Sequence, residues 1–353
     1  MIKILHSADW HLDSPLVLRK EGQSEFLKKK LSEIPEKVAN LCRQEQCDML
    51  LLSGDLFDGA VSGDTLRLVK NALEEVAVPV FIAPGNHDYA DGNSPWLTTV
   101  WPDNVHIFTR QVVESVSLPA LNCRVYGAGF TGMDCPGLLE GFAARQEEKY
   151  AIGVLHGDPT QVSSPYCPIT TGQVANSGLD YLALGHIHKG DQFLAGNTLC
   201  AWPGCPMGRG YDEVGEKGVL LVTLDEKASA KFLPLDSPVF YDLEVPAAQG
   251  LDAVLPPVGN ENFYRITLTG ESEPIDLAGL MEQYKHFPNL ELRDKTQLPV
   301  DVWSAAGEDT FEGIYFKLLR EAMETADEDT KRQVSLAARI SRQLMDGQEV
   351  VLP

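Results

Sequence analysis

Ile2-Lys3-Ile4-Leu5-His6-Ser7-Ala8-Asp9-Trp10-His11-Leu12 is the stretch on which the reading of this chain turns. A short apolar, β-prone run passes directly into a polar segment carrying Asp9 and His11. Open α/β sheets build their ligand sites from such residues at the carboxyl ends of strands. The same arrangement recurs four times. Residues 49–52 lead into Gly54-Asp55-Leu56-Phe57-Asp58, and 78–82 into Gly85-Asn86-His87-Asp88. Residues 151–155 lead into His156-Gly157-Asp158, and 181–184 into Gly185-His186-Ile187-His188. A single Asp or His after a strand is ordinarily a cap or a turn residue. Five such segments in order describe a rim.

Working outward, further apolar runs at 105–108, 125–126, 218–224 and 231–235 read as strands, with helical patterns at 26–42 and 65–76. This alternation predicts an α/β domain with buried strands. Pro234 and Pro238 bracket a boundary. Beyond it, a strand at 263–269, a helix at 276–284 and a short strand at 290–292 form a small α+β unit. The tail from 308 to 345 is helical by period. Phe311, Ile314, Tyr315, Leu318 and Leu319 make one stripe, and Val334, Ala337, Ile340 and Leu344 another. Each stripe reads as core or as a partner-binding face. The domain reading is 1–237 catalytic, 238–305 a small α+β cap, and 306–353 a helical tail.

The 353 residues are 44% hydrophobic and 23% charged, too apolar for a disordered chain. No run of about 18 apolar residues occurs, which excludes a membrane helix of ordinary length. The opening reads as a strand rather than a signal peptide, so a cytoplasmic protein is expected. Seven scattered cysteines then read as reduced thiols. The net charge of −22 disfavours a broad basic face for nucleic acid, but not a local basic groove. Arg19, Lys20, Lys28, Lys29 and Lys30 are the one dense basic group, either a solvated helix face or a contact to substrate backbone. Gly127-Ala128-Gly129-Phe130-Thr131-Gly132 fits a dinucleotide-binding pattern, but Pro136 and Gly137 stand where its helix should begin. A strand-to-loop turn is the better account.

Asp9, His11, Asp55, Asn86, His156, His186 and His188 are candidate metal ligands. The pairs Asp9/His11 and His186/His188 have i, i+2 spacing, which in extended backbone aims both side chains the same way. Mixed Asp, His and Asn ligation suits manganese, iron or zinc better than calcium. Seven ligands exceed one tetrahedral site; with one bridging carboxylate they can hold two ions, a centre suited to in-line attack on phosphorus.

The order D-x-H, G-D-x-x-D, G-N-H-D, H-G, G-H-x-H resembles that of the calcineurin-like metallophosphoesterases. The run from His6 to Leu16 resembles the opening of the SbcD/YhaO-type DNA repair exonucleases. Trp202-Pro203-Gly204-Cys205-Pro206, Gly208-Arg209 and Glu216-Lys217-Gly218 are similar to the segment after the last histidines there. The resemblance implies a β-sandwich flanked by helices, with a cap and a helical tail. It implies two divalent ions, manganese first, with iron, zinc and magnesium as alternatives. Asp9, His11 and His188 would hold one ion and Asn86, His156 and His186 the other, with Asp55 between and a shared water as the attacking hydroxide. His87 would serve the leaving oxygen as acid or hydrogen-bond donor. Asp88 would orient His87 and Asp58 would support a ligand, unless each is only a turn residue. His6 would be a strand-end residue or a support.

The resemblance further implies DNA as substrate, a homodimer, and an SbcC/YhaN-like coiled-coil ATPase on a separate chain, since no Walker motif occurs here. Three activities therefore compete: a DNA nuclease, a small-molecule phosphoesterase with the same chemistry, and an interaction subunit that recruits an ATPase.

Overall fold

The computed structural model describes residues 1–347 except 19, 21 and 300, so Arg19 lies outside the described residues. The chain opens with β1 (Ile2–Ser7), α1 (Gln23–Ser32), α2 (Ile34–Gln44), β2 (Met49–Leu52) and α3 (Gly63–Val76). There follow β3 (Val80–Ile82), α4 (Pro95–Thr98), β4 (Val105–Ile107), β5 (Glu114–Leu118), β6 (Cys123–Gly127) and β7 (Tyr150–His156). Next come α5 (Thr171–Asn176), β8 (Tyr181–Gly185), β9 (Lys189–Ala195), β10 (Thr198–Gly204), β11 (Gly218–Leu224) and β12 (Ala228–Pro234). The remainder comprises β13 (Phe240–Pro246), β14 (Phe263–Thr269), α6 (Leu277–Gln283), β15 (Leu290–Asp294), α7 (Phe311–Glu324) and α8 (Glu328–Met345).

Two six-stranded sheets, in the orders β12-β11-β1-β2-β3-β4 and β5-β6-β7-β8-β10-β9, carry the α/β sandwich that the sequence predicts. β1 to β4 are parallel neighbours, as are β6, β7 and β8. Strand alternation divides the side chains between cores. Ile2, Ile4, Met49, Leu51, Ile152 and Val154 share the core between the sheets. Leu5, Leu50 and Leu52 point the other way, into a core with Leu27, Val38, Val69 and Leu73 from α1–α3. Because β2, β7 and β8 are buried on both faces, they read as near-continuous apolar runs.

The helical pattern at 26–42 is in fact two helices. α1 ends at Ser32, and α2 starts at Ile34 with Pro35 in its first turn, where the missing N–H costs no hydrogen bond. β6 ends at Gly127 in the glycine-rich run and no helix follows before residue 144, as a strand-to-loop turn requires. Strands β5, β9 and β13 carry too many polar residues to stand out as apolar runs.

By contacts the chain forms two compact units. The first is Met1–Asp242 with Asn260–Arg265 and Phe287–Asn289. The second is Leu243–Gly259, Ile266–His286 and Leu290–Pro353. Within the second, α7 packs on α8 around buried Phe316 and Ala338, with Trp303, Tyr315 and Leu319 beside them. The Tyr315 hydroxyl pairs with Ser341 Oγ at 2.8 Å. The first stripe of the tail thus splits: Tyr315 and Leu319 pack inward, while Phe311, Ile314 and Leu318 are exposed. Among the described residues no helix is long and apolar enough to cross a membrane.

Candidate active site

The loops that follow β1 and β2 run side by side past the strand ends. Asp9 N–H donates to the Gly54 carbonyl at 3.0 Å and His11 N–H to that of Asp55 at 2.9 Å. The backbone there turns left-handed, with φ of +54° at Asp9, +47° at His11 and +52° at Asp55, and +102° at His186. The extended backbone expected from the i, i+2 spacing is therefore absent; tight left-handed turns place the side chains instead. Non-glycine residues hold such angles at a cost, and they gather at functional sites. Gly54 has no alternative at φ +92°, because a Cβ would lie 2.5 Å from His156 Nδ1.

These turns bring the seven candidate ligands into one connected cluster. Ligand atoms of Asp9, His11 and His188 lie within 4.8 Å of one another, as do those of Asp9, Asp55 and His156. His11 Nε2 faces His188 Nε2 at 3.1 Å. Asp55 Oδ2 lies 3.8 Å from His11 Nε2 and 3.4 Å from His156 Nε2. Asn86 Oδ1 stands 3.0 Å from His156 Nε2 and 3.2 Å from His186 Nδ1. Asp9, His11, Asp55, Asn86 and His156 are buried, and His186 and His188 half-buried.

This donor set fits divalent cations. Opposed imidazole nitrogens beside two buried carboxylates need a positive charge among them. The electrostatics show the strain of supplying it with protons alone. Burial drives His156 down, but Asp55 more than reverses that and lifts it to about 9. Burial also opposes ionisation of Asp55, and His156 and His11 overcome it, leaving Asp55 well below the usual carboxylate range. Burial lowers His11, as it does His186, where the charge on His156 adds to it.

His87 stands apart as the exposed imidazole of the rim, its side chain 42% accessible. Asp58 Oδ1 lies 2.7 Å from His87 Nδ1 and 3.8 Å from His11 Nδ1. The carboxylate that orients His87 is thus Asp58, and the pairing of His87 with Asp88 expected from the sequence is corrected. Asp88 accepts backbone N–H bonds from Gly85, Leu56, Asp55 and Phe57 at 2.7 to 3.3 Å. It locks the Asp55 turn to the loop that carries Asn86 and His87. Burial and the nearby Asp55 push Asp88 up to about 7, against those donors.

Two residues support the site, Glu213, which the sequence reading missed, and His6, which it named as a strand-end residue or a support. Glu213 is buried, with Oε1 2.7 Å from His188 Nδ1 and 2.8 Å from Arg209 Nη2. Burial alone would raise it; His188 and Arg209 hold it well below the usual range. Carboxylates in this position fix the tautomer of a metal-binding imidazole. Its signal was the Arg209/Glu213 i, i+4 pair. His6 lies within β1, fully buried, with Nδ1 2.7 Å from the Tyr181 hydroxyl and Nε2 2.7 Å from Ser53 Oγ. It ties the two sheets together below the site, since the Ser53 carbonyl in turn pairs with His156 Nδ1 at 2.9 Å.

The basic group disperses. Lys30 pairs with Glu261 at 2.9 Å, Lys28 lines a small cavity with Asp13 and Ser14, and Lys20 lines another cleft with Gln23 and Asn289. Lys29 lies in the last turn of α1.

The family model for calcineurin-like phosphoesterases matches residues 2–190, which contain every candidate ligand. An uncharacterized metallophosphoesterase, YhaO of Bacillus subtilis, is 34% identical over 238 residues. The match takes in 63% of this chain and 57% of that protein, so the chain spans little more than half the length of this relative. The SbcD component of the nuclease SbcCD from Staphylococcus epidermidis is 24% identical over 82% of this chain and 84% of its own. A dimetal phosphatase from Danio rerio is 13% identical over 65% of this chain and 96% of its own, with a TM-score of 0.45. A strand-end rim of aspartate, asparagine and histidine on a two-sheet α/β body, matched by the family model over more than half its length, makes this chain a member of the calcineurin-like phosphoesterase family.

Proposed function

We propose that the chain is a two-metal phosphodiesterase acting on DNA, a nuclease, with Asp55 shared between two cation positions. The observation that carries this reading is the placement of Asp55 Oδ2 within 3.8 Å of His11 and 3.4 Å of His156, one residue from each ligand group. Asp9, His11 and His188 would hold one ion, and Asn86, His156 and His186 the other. Manganese is the first expectation, with iron, zinc or magnesium as alternatives. Bound there, two such cations would acidify a water between them and neutralise the phosphate oxygens.

The chain's own residues do the rest. Asp58 accepts from His87 Nδ1–H, so that the doubly protonated ring can pass its Nε2 proton to the departing oxygen. Glu213 and the Ser53 carbonyl fix the rings of His188 and His156, and Asp88 keeps the two ligand loops in register.

DNA as substrate is supported by the similarity to a nuclease component across most of the chain. The exposed face of α7, Phe311, Ile314 and Leu318, is consistent with a partner such as a coiled-coil ATPase, and we include a homodimer and a cytoplasmic setting in the proposal. The net charge of −22 favours a second reading, a small phosphodiester as substrate. Purified protein with added manganese, offered linear duplex DNA, single-stranded DNA and a generic small phosphodiester, tests the two. Metal-dependent loss of DNA supports the nuclease; cleavage of the small diester alone moves the protein to the second reading.

A further inference from the structure

Beside His188 a cleft of about 460 Å³ opens between two sheet edges. β9 is the terminal strand of one sheet and β12 of the other. Lys189 and Trp202 line the cleft from the first of these sides, Lys217 and Phe232 from the second, and His188 lines it too. The cleft therefore continues from the ligand cluster. Phe232 is 40% exposed and Lys189 is exposed. Lys217 Nζ donates to the His188 carbonyl at 3.5 Å, which sets its ammonium beside the site. Trp202 Nε1 donates to the Lys189 carbonyl at 2.9 Å and holds that turn of β9 in place.

An exposed ring and two ammonium groups lining one cleft are the usual means of binding a single strand, by base stacking and phosphate pairing. Asp191 and Glu216 also line the cleft, so its attraction reaches only one or two phosphates and not a duplex face. A separate cleft of about 650 Å³ at His87 carries Asp58, Asp88 and Asp91 and, among its described lining residues, no lysine or arginine. With two lysines against two carboxylates the His188 side is balanced in charge, and it repels a polyanion less than the acidic His87 side.

We propose that a single polynucleotide strand enters along the His188-side cleft, with a base stacked on Phe232 and a backbone phosphate between Lys189 and Lys217. The proposal rests on the nuclease reading, but binding tests it without turnover. Fluorescence anisotropy of a labelled oligothymidylate of about twelve nucleotides, with the full chain in chelator, gives the affinity. Phe232→Ala should weaken binding roughly tenfold. Lys189→Gln, at an exposed position, should lower the slope of log affinity against log salt by about 0.7. A matched oligouridylate tells DNA from RNA. Wild-type protein that does not bind, or a folded Phe232→Ala and a Lys189→Gln that both bind as wild type does, overturns the subsite. Wild-type protein that binds through Phe232 yet leaves the strand intact with manganese sinks the nuclease reading and leaves the subsite standing.

Discussion

Glu213→Gln separates the support of the site from the site itself. The side chain is 6% exposed and its Arg209 partner 18%, so this pair is shielded from solvent. Removing one charge from a buried pair costs about 3–5 kcal/mol; a glutamine keeps an acceptor, so the lower end, about 3 kcal/mol, is expected. In chelator, that corresponds to a fall in melting temperature of about 6–12 °C for a body of this size. The second effect concerns His188. Without the carboxylate on Nδ1 its ring is less basic and less firmly oriented, and affinity for the ion that it helps to hold should fall about 10–100-fold. Calorimetric titration with manganese measures this, and thermal unfolding in chelator measures the first effect. A lowered melting temperature with unchanged affinity would show that Glu213 serves only the fold. Unchanged values of both would refute the reasoning about the buried triad.

His87→Ala should leave metal content intact and lower turnover of any cleaved diester by about 10²–10⁴-fold; lost metal would make His87 a ligand. His6 is buried neutral, lowered by burial to about 3 from 6.5. Its contribution to stability is complete above pH 6.5 and is lost as pH falls toward 3, by up to about 1.4 kcal/mol per unit. Denaturant unfolding of the metal-free protein from pH 7.5 to 5 should therefore be steeper for wild type than for His6→Gln, and matching profiles would contradict the neutral His6.

The rim was legible because each ligand segment lies at the end of a buried strand, β1, β2, β3, β7 or β8, whose mostly apolar run stops where the polar residues begin. What stayed hidden depends on contacts distant in sequence. Asp58 and Asp88 are both one turn from a ligand, and only the fold decides that Asp58 meets His87 while Asp88 pins backbone N–H groups. The left-handed angles at Asp9, His11 and His186 escape a rule that assumes extended chain, because ligand demands override local preference. Glu213 sits 25 residues beyond His188 in a polar loop, where an acidic side chain ordinarily signals only solvent exposure. The break between α1 and α2 was written in Pro35, which the apolar period alone passes over.

The most direct test of the two-ion centre is metal stoichiometry by mass spectrometry or elemental analysis, for wild type and Asp55→Asn at saturating manganese. Two ions per chain in the wild type and fewer than two in the variant are predicted. A single ion in the wild type, or two retained without the Asp55 carboxylate, would contradict the shared position on which the account rests.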